Sequence, residues 1–149
     1  MAQSQKTETR EDYPHFLVIP TRWMDNDVYG HVNNVVYYSW FDTVVNRYLI
    51  DQGLLDIRTS PVIGLVVATS CAYFASVAFP DEVHAGLRVV HVGTSSVRYE
   101  VGLFRNDDPH PAAAGEFTHV YVDRSTHRPV HLGADLRAAL ERIRATSPG

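Results

Sequence analysis

The spacing of apolar residues along the chain changes twice. Residues 16–22 alternate moderately between apolar and polar and predict a short first strand. From Val36 the period lengthens. Val36, Tyr37, Trp40, Phe41, Val44, Val45, Tyr48 and Leu49 fall as adjacent pairs every four residues, which makes one broad helical face. Ser39, Asp42, Thr43, Asn46 and Arg47 occupy the other side. Asn33 or Asn34 suits the start as a cap, and Gly53 suits the end. A helix over 34–52 is then roughly 28 Å long. Strand-like patterning returns over 62–79, 86–92, 97–105 and 112–123, broken by Gly93-Thr94-Ser95-Ser96 and by the turn-rich stretch 106–111. A short amphipathic helix over 135–145 closes the pattern, with Leu136, Leu140 and Ile143 on one side. Short turns between successive strands favour antiparallel neighbours. The order predicts an α+β layer pair, a curved antiparallel sheet wrapped around one long helix.

The apolar run over 62–79 approaches the length of a membrane span. Thr69, Ser70 and Ser76 interrupt it, no Lys or Arg belt flanks it, and its Val, Ile, Tyr and Phe content favours extended structure. It predicts a long buried strand, with no insertion into a membrane.

Composition adds limits. The chain has 149 residues, 45% apolar and 20% charged, which suits one soluble domain with its own core. The formal net charge of -4 argues against nucleic acid as a partner. The single cysteine, Cys71, excludes an internal disulfide and a four-cysteine zinc site, and it fits a reducing cytoplasm. Residues 1–12 are polar, lack the apolar core of a signal peptide and read as a flexible lead to one domain over 13–146. Ser147-Pro148-Gly149 is expected to fray. No repeat or linker divides the chain.

Chemistry concentrates between the first strand and the long helix, in Trp23-Met24-Asp25-Asn26-Asp27-Val28-Tyr29-Gly30-His31-Val32-Asn33-Asn34. A helix start offers free N–H donors and a partial positive charge, which polarise a carbonyl oxygen or hold an anion. Asp27, just before it, is placed to attack a carbonyl carbon or to deprotonate water. Gly30 permits close backbone approach, and His31 is placed to hold a proton or orient the carboxylate. Together these parts describe acyl transfer. Asp25, Asn33 and Asn34 read first as turn and cap residues. Tyr37, Trp40 and Phe41 read first as core. No metal site is expected. His127 and His131 are separated by Pro129, and His84, His91 and His119 lie in different strand segments, so the histidines read as surface or turn residues.

Asp-x-x-Gly-His-Val-Asn-Asn followed by an aromatic helix resembles the hotdog-fold acyl-CoA thioesterases of the 4-hydroxybenzoyl-CoA thioesterase type. The resemblance runs from about Phe16 to Asp123 and is strongest from Arg22 to Asp42. It implies a hotdog fold and the hydrolysis of an acyl-CoA thioester to free acid and CoA. It places the catalytic carboxylate on Asp27 and the carbonyl-polarising N–H near Asn34, with His31 assisting. Gly30, Tyr37, Ser95, Ser96 and Arg98 are the substrate-binding candidates, the serine turn and the arginine toward pantetheine or phosphate. CoA is part of the substrate and no separate cofactor is implied. The resemblance also implies a homodimer or homotetramer, with sheets joined edge to edge and an active site completed by the partner. The chain departs from the family pattern at three positions. His31 replaces an apolar residue and brings the spelling nearer plant acyl-carrier-protein thioesterases. Tyr29 stands where those carry asparagine. Val77 stands where some members supply a threonine hydroxyl from the partner, leaving Ser70, Ser76 or His31 to orient water. Two other functions stay open: hydration or dehydration of acyl thioesters, and non-catalytic binding of them.

Overall fold

A computed structural model describes residues 2–145. Ser147-Pro148-Gly149 lies outside the described residues. β1 (His15–Pro20) leads into the polar motif, and α1 (Asn34–Asp51) follows it. Then come β2 (Val62–Tyr73), β3 (Glu82–Val92), β4 (Ser96–Arg105) and β5 (Ala113–Asp123), and α2 (Ala134–Arg142) ends the order. The strands form one antiparallel sheet in the order β1-β3-β4-β5-β2.

The paired apolar spacing explains why α1 lies deep. Phe41, Val44 and Val45 are fully buried, and Tyr37, Trp40, Tyr48 and Leu49 are nearly so. They pack on the inward residues of the sheet, Val83, Ala85, Leu87 and Val89 of β3 and Val97, Tyr99, Val101 and Leu103 of β4. Asn33 caps the helix, its side-chain oxygen accepting the Val35 N–H at 3.1 Å. At the other end Gly53 takes a positive φ of 75°. α2 braces the far end of the core through Ala139, Leu140 and Ile143, and the Tyr48 hydroxyl donates to the Ala139 carbonyl at 2.6 Å.

The central strands are covered on their other face too. Where a flexible lead over 1–12 is expected, Ala2–Thr7 and Arg10–Asp12 form turns of 3-10 helix, and residues 5–13 dock on the sheet. Tyr13 lies over Gly86 and Gly102, where a Cβ would stand 2.8 and 2.7 Å from its side chain. Tyr13, Phe16 and Phe104 pack edge to face or tilted. Arg88 reaches Glu8 at 2.7 Å and Glu100 at 2.5 Å, and its guanidinium sits 4.4 Å from the Tyr13 ring centre. Hydrophobic periodicity does not read such docking, because it rests on ion pairs and one tyrosine.

The run expected as a single strand over 62–79 leaves the sheet after Tyr73. Phe74 and Ala75 donate to the Ala112 carbonyl, and Val77 turns inward, 1% exposed. The chain is drawn off because the Val77 carbonyl accepts the Val32 N–H of the motif at 2.8 Å. Nor is β2 buried as expected. It forms the sheet edge opposite β1, slips register between Val66 and Ala68, and exposes every residue from Leu65 to Ser70. Among the described residues, no helix is long and apolar enough to cross a membrane.

Candidate active site

The motif folds as two stacked turns. Trp23–Asp25 forms a turn of 3-10 helix. Asp25 is buried and accepts Arg22 Nε and Nη2 at 3.0 and 2.8 Å as well as the Arg22 N–H. Asn26 bridges to Val32 and accepts the Phe79 N–H at 3.0 Å. The Asp27 N–H donates to the His31 carbonyl at 2.8 Å, which closes the loop 27–31 on itself. Gly30 makes the bend at φ 82°, a conformation that favours glycine.

This loop holds Asp27 half-buried beside the start of α1. Its Oδ1 accepts the Tyr29 N–H at 2.8 Å, and its Oδ2 has no partner among the described residues. The carboxylate is therefore fixed by one oxygen and free at the other. It lines a hollow of about 680 Å³ with Trp23, Asn26, Tyr29 and Gly30. A second hollow, about 340 Å³, is lined by His31, Asn34, Tyr37, Tyr73 and Ser76. The Asn34 N–H, first of the helix, has no acceptor among the described residues, whereas those of Val35 and Val36 are taken by Asn33. His31 is exposed. Tyr37 packs on Trp40 and Tyr73 with ring centres 5.0 and 4.9 Å apart, and burial pushes its hydroxyl pKa up to about 12. It is a neutral phenol that serves the core and the hollow together.

Asp27, Gly30, His31, Asn34 and Tyr37 are thus gathered around one helix start. Ser76 joins them, while Ser70 lies on the exposed edge. Ser95, Ser96 and Arg98 are not brought there. They sit at the β3–β4 turn, where the Ser95 and Thr94 carbonyls accept the Tyr121 and Leu132 N–H groups. The motif lies near Glu82 at the other end of β3, and its 11 residues span roughly 35 Å. Sequence order hid this, because a hairpin turn can lie at either end of a sheet. His119, expected at the surface or in a turn, is 2% exposed. Its place between Phe117 and Tyr121 at period two was the available signal. Among the described residues no cluster of His, Cys, Asp and Glu is placed to hold a metal ion.

Comparison with known proteins gives a consistent picture. The model of the thioesterase-like superfamily matches residues 21–140. The crystal structure of the PA5185 protein from Pseudomonas aeruginosa strain PAO1 superposes with a TM-score of 0.92 at 53% identity, covering 95% of this chain and 99% of that one. The PA2801 protein of Pseudomonas aeruginosa gives a TM-score of 0.80 at 29% identity, over 86% of this chain and 98% of that one. The DHNA-CoA thioesterase of Staphylococcus aureus shares the fold, with a TM-score of 0.74 at 19% identity, over 85% of this chain and 88% of that one.

Proposed function

Because the chain belongs to the thioesterase-like superfamily, we propose that it hydrolyses an acyl-CoA thioester to free acid and CoA at the hollow beside Asp27. The observation that carries this reading is the pairing of a half-free carboxylate with an unpaired helix-start N–H. Asp27 Oδ2 is available to take a proton from water or to attack the thioester carbon. The carbonyl oxygen, as it gains charge, is held by the Asn34 N–H and the positive end of α1. Collapse of the tetrahedral species breaks the C–S bond, and the proton passes to the departing thiolate through Asp27 or the exposed His31. A shared fold with a CoA thioesterase supports CoA as the carrier.

We further propose that two chains pair. Trp23, Met24, Val28, Tyr29 and Val35 are more than two-thirds exposed around the hollows, and the apolar run of β2 has an open edge. A second copy joined antiparallel along β2 covers that edge. It also carries the partner's far end, with its β3–β4 turn, toward this motif. Ser95, Ser96 and Arg98 then serve the neighbour's substrate. The free Cys71 thiol suits a reducing cytoplasm.

The test is thiol release from a panel of acyl-CoAs. Asp27→Asn keeps the oxygen that accepts the Tyr29 N–H but removes the charge. It is expected to lower kcat/KM by 10²- to 10⁴-fold with the fold intact by circular dichroism. Unchanged thiol release sinks the mechanism, and loss of enoyl absorbance without thiol release points to hydration. Single turnovers in ¹⁸O-water with acid quench separate the two roles of Asp27: a trapped acyl-Asp27 or label in Asp27 marks a nucleophile, and label in the product acid alone with no acyl-enzyme marks a general base.

A further inference from the structure

The strap formed by residues 5–13 lies on the outer face of β3 and β4, and one of its anchors is titratable. Arg10 Nε donates to the Asp108 carbonyl at 3.0 Å and Nη2 to the Asn106 carbonyl, and the guanidinium sits 5.1 Å from the Phe104 ring centre. Arg10 Nη1 meets His84 Nδ1 at 2.6 Å. A guanidinium only donates and keeps its charge, so Nδ1 is the unprotonated nitrogen of the ring. The His84 proton then stands on Nε2, which donates to Glu82 Oε1 at 2.9 Å. The two neighbours together fix one neutral tautomer.

A second proton on this ring goes to Nδ1. There it removes the acceptor and sets one cationic N–H against another across 2.6 Å. Glu82 belongs to the same strand as His84 and favours the charged ring whether or not the strap is docked. Arg10 opposes the charge only when the strap is docked. Proton uptake at His84 and seating of Arg10 therefore exclude one another. The other neighbours are apolar or already engaged. Val18 of β1 and Phe104 of β4 stand opposite His84 in the ladders. Asp108 pairs with Arg105 at 3.2 Å, and Asp81 accepts Asn106 Nδ2 and the Ala78 N–H at 3.1 and 3.0 Å. On the strap, Arg88 holds Glu8 at 2.7 Å, Asp12 accepts the Thr9 N–H at 2.8 Å, and Glu11 is exposed. His110 gives a contrast, since its Nδ1 donates to the Glu8 carbonyl at 2.8 Å, a bond that a charged ring makes equally well.

We propose that His84 is an acid-sensitive latch: proton uptake at Nδ1 ejects Arg10 and releases residues 5–13 from the sheet. Histidine changes charge between about pH 5 and 8, so the strap is docked at the upper end of that range and loosened at the lower. Terminal segments open at small cost, which lets one repulsive contact decide the docking. Release uncovers the bed of Tyr13 over Gly86 and Gly102. The proposal does not depend on the chemistry at Asp27.

The experiment is hydrogen exchange of the full chain at pH 7.5 and 5.5, each rate divided by the intrinsic rate at that pH, with the His84 imidazole ¹⁵N resonances followed alongside. The amides of Glu8, Thr9, Asp12 and Tyr13 are hydrogen-bonded within the strap and report its docking. Their protection is expected to fall about tenfold at pH 5.5 with that of α1 unaffected, and the resonances at pH 7.5 to place the proton on Nε2. His84→Asn, which sets a neutral acceptor near the place of Nδ1, is expected to hold protection constant across the two values. Arg10→Leu is expected to lower protection at both values and make them equal. His110→Ala is expected to weaken docking and keep the pH dependence. Arg10→Leu decides the matter even where His84→Asn fails to fold. Equal protection at the two values in the unmodified chain, a pH dependence that survives His84→Asn or Arg10→Leu, its loss in His110→Ala, or a proton on Nδ1 at pH 7.5 would each overturn the proposal.

Discussion

Asp25 and Asp27 stand two positions apart in the same loop. Asp25 is 1% exposed and engages Arg22 through both carboxylate oxygens, whereas Asp27 keeps Oδ2 free. Asp25→Ala is therefore expected to lower the melting temperature measurably, and Asp27→Asn to leave it nearly unchanged, as read by thermal denaturation. The sequence placed both aspartates in a turn, and their surroundings separate them. His119 shows the limit of residue-level reading, since the spacing of the eight histidines does not mark the buried one and only its period-two place between Phe117 and Tyr121 does. Its pKa falls from 6.5 to about 4 through desolvation. Between those values the unfolded chain takes up a proton at residue 119 that the folded chain does not. Stability therefore falls as pH drops through that window, by about 3 kcal/mol in full, and this contribution flattens below pH 4. Denaturant titrations at pH 7, 5.5 and 4 check this, with a shallower acid-side loss expected for His119→Leu.

Among the elements, α1 was the most legible, because eight apolar positions in paired spacing admit one burial face. The structure ends it at Asp51 against an expected Gln52. Phe41→Ala, at the centre of that face and 0% exposed, is expected to cost about 3–5 kcal/mol in chemical denaturation. β2 was the least legible. Apolar residues continue to Phe79, but the hydrogen bond from Val32 to Val77 diverts the chain, and a long-range backbone contact leaves no periodic trace. The docking of residues 5–13 was hidden for a related reason. It relies on two glycines of neighbouring strands lying side by side under Tyr13, a match set by the β3–β4 register. Gly102→Ala is expected to displace Tyr13 and speed hydrogen exchange over residues 5–13, with the exchange of α1 unaffected.

At the scale of the whole molecule, the fold class followed from the order of periods, one strand, one long helix and four strands. The site was only partly legible. The motif located one helix start, while the substrate candidates in the 95–98 turn proved to lie at the other end of the sheet. The open edge of β2 is what reconciles the two ends in the proposed pairing. Val67 is 59% exposed and has no Cα partner in β5, so Val67→Pro interrupts the edge strand where its register is already irregular. Light scattering is expected to find the variant monomeric, and thiol release is expected to drop with it.

In the proposed pairing, that same edge would subject the chemistry to mass action. A hollow roofed only by a second chain is competent only in pairs. Well below the dissociation constant, doubling the protein would quadruple the rate, and above it the rate would merely double. The affinity written into a dozen residues of one strand would then set the lowest cellular abundance at which the protein is useful.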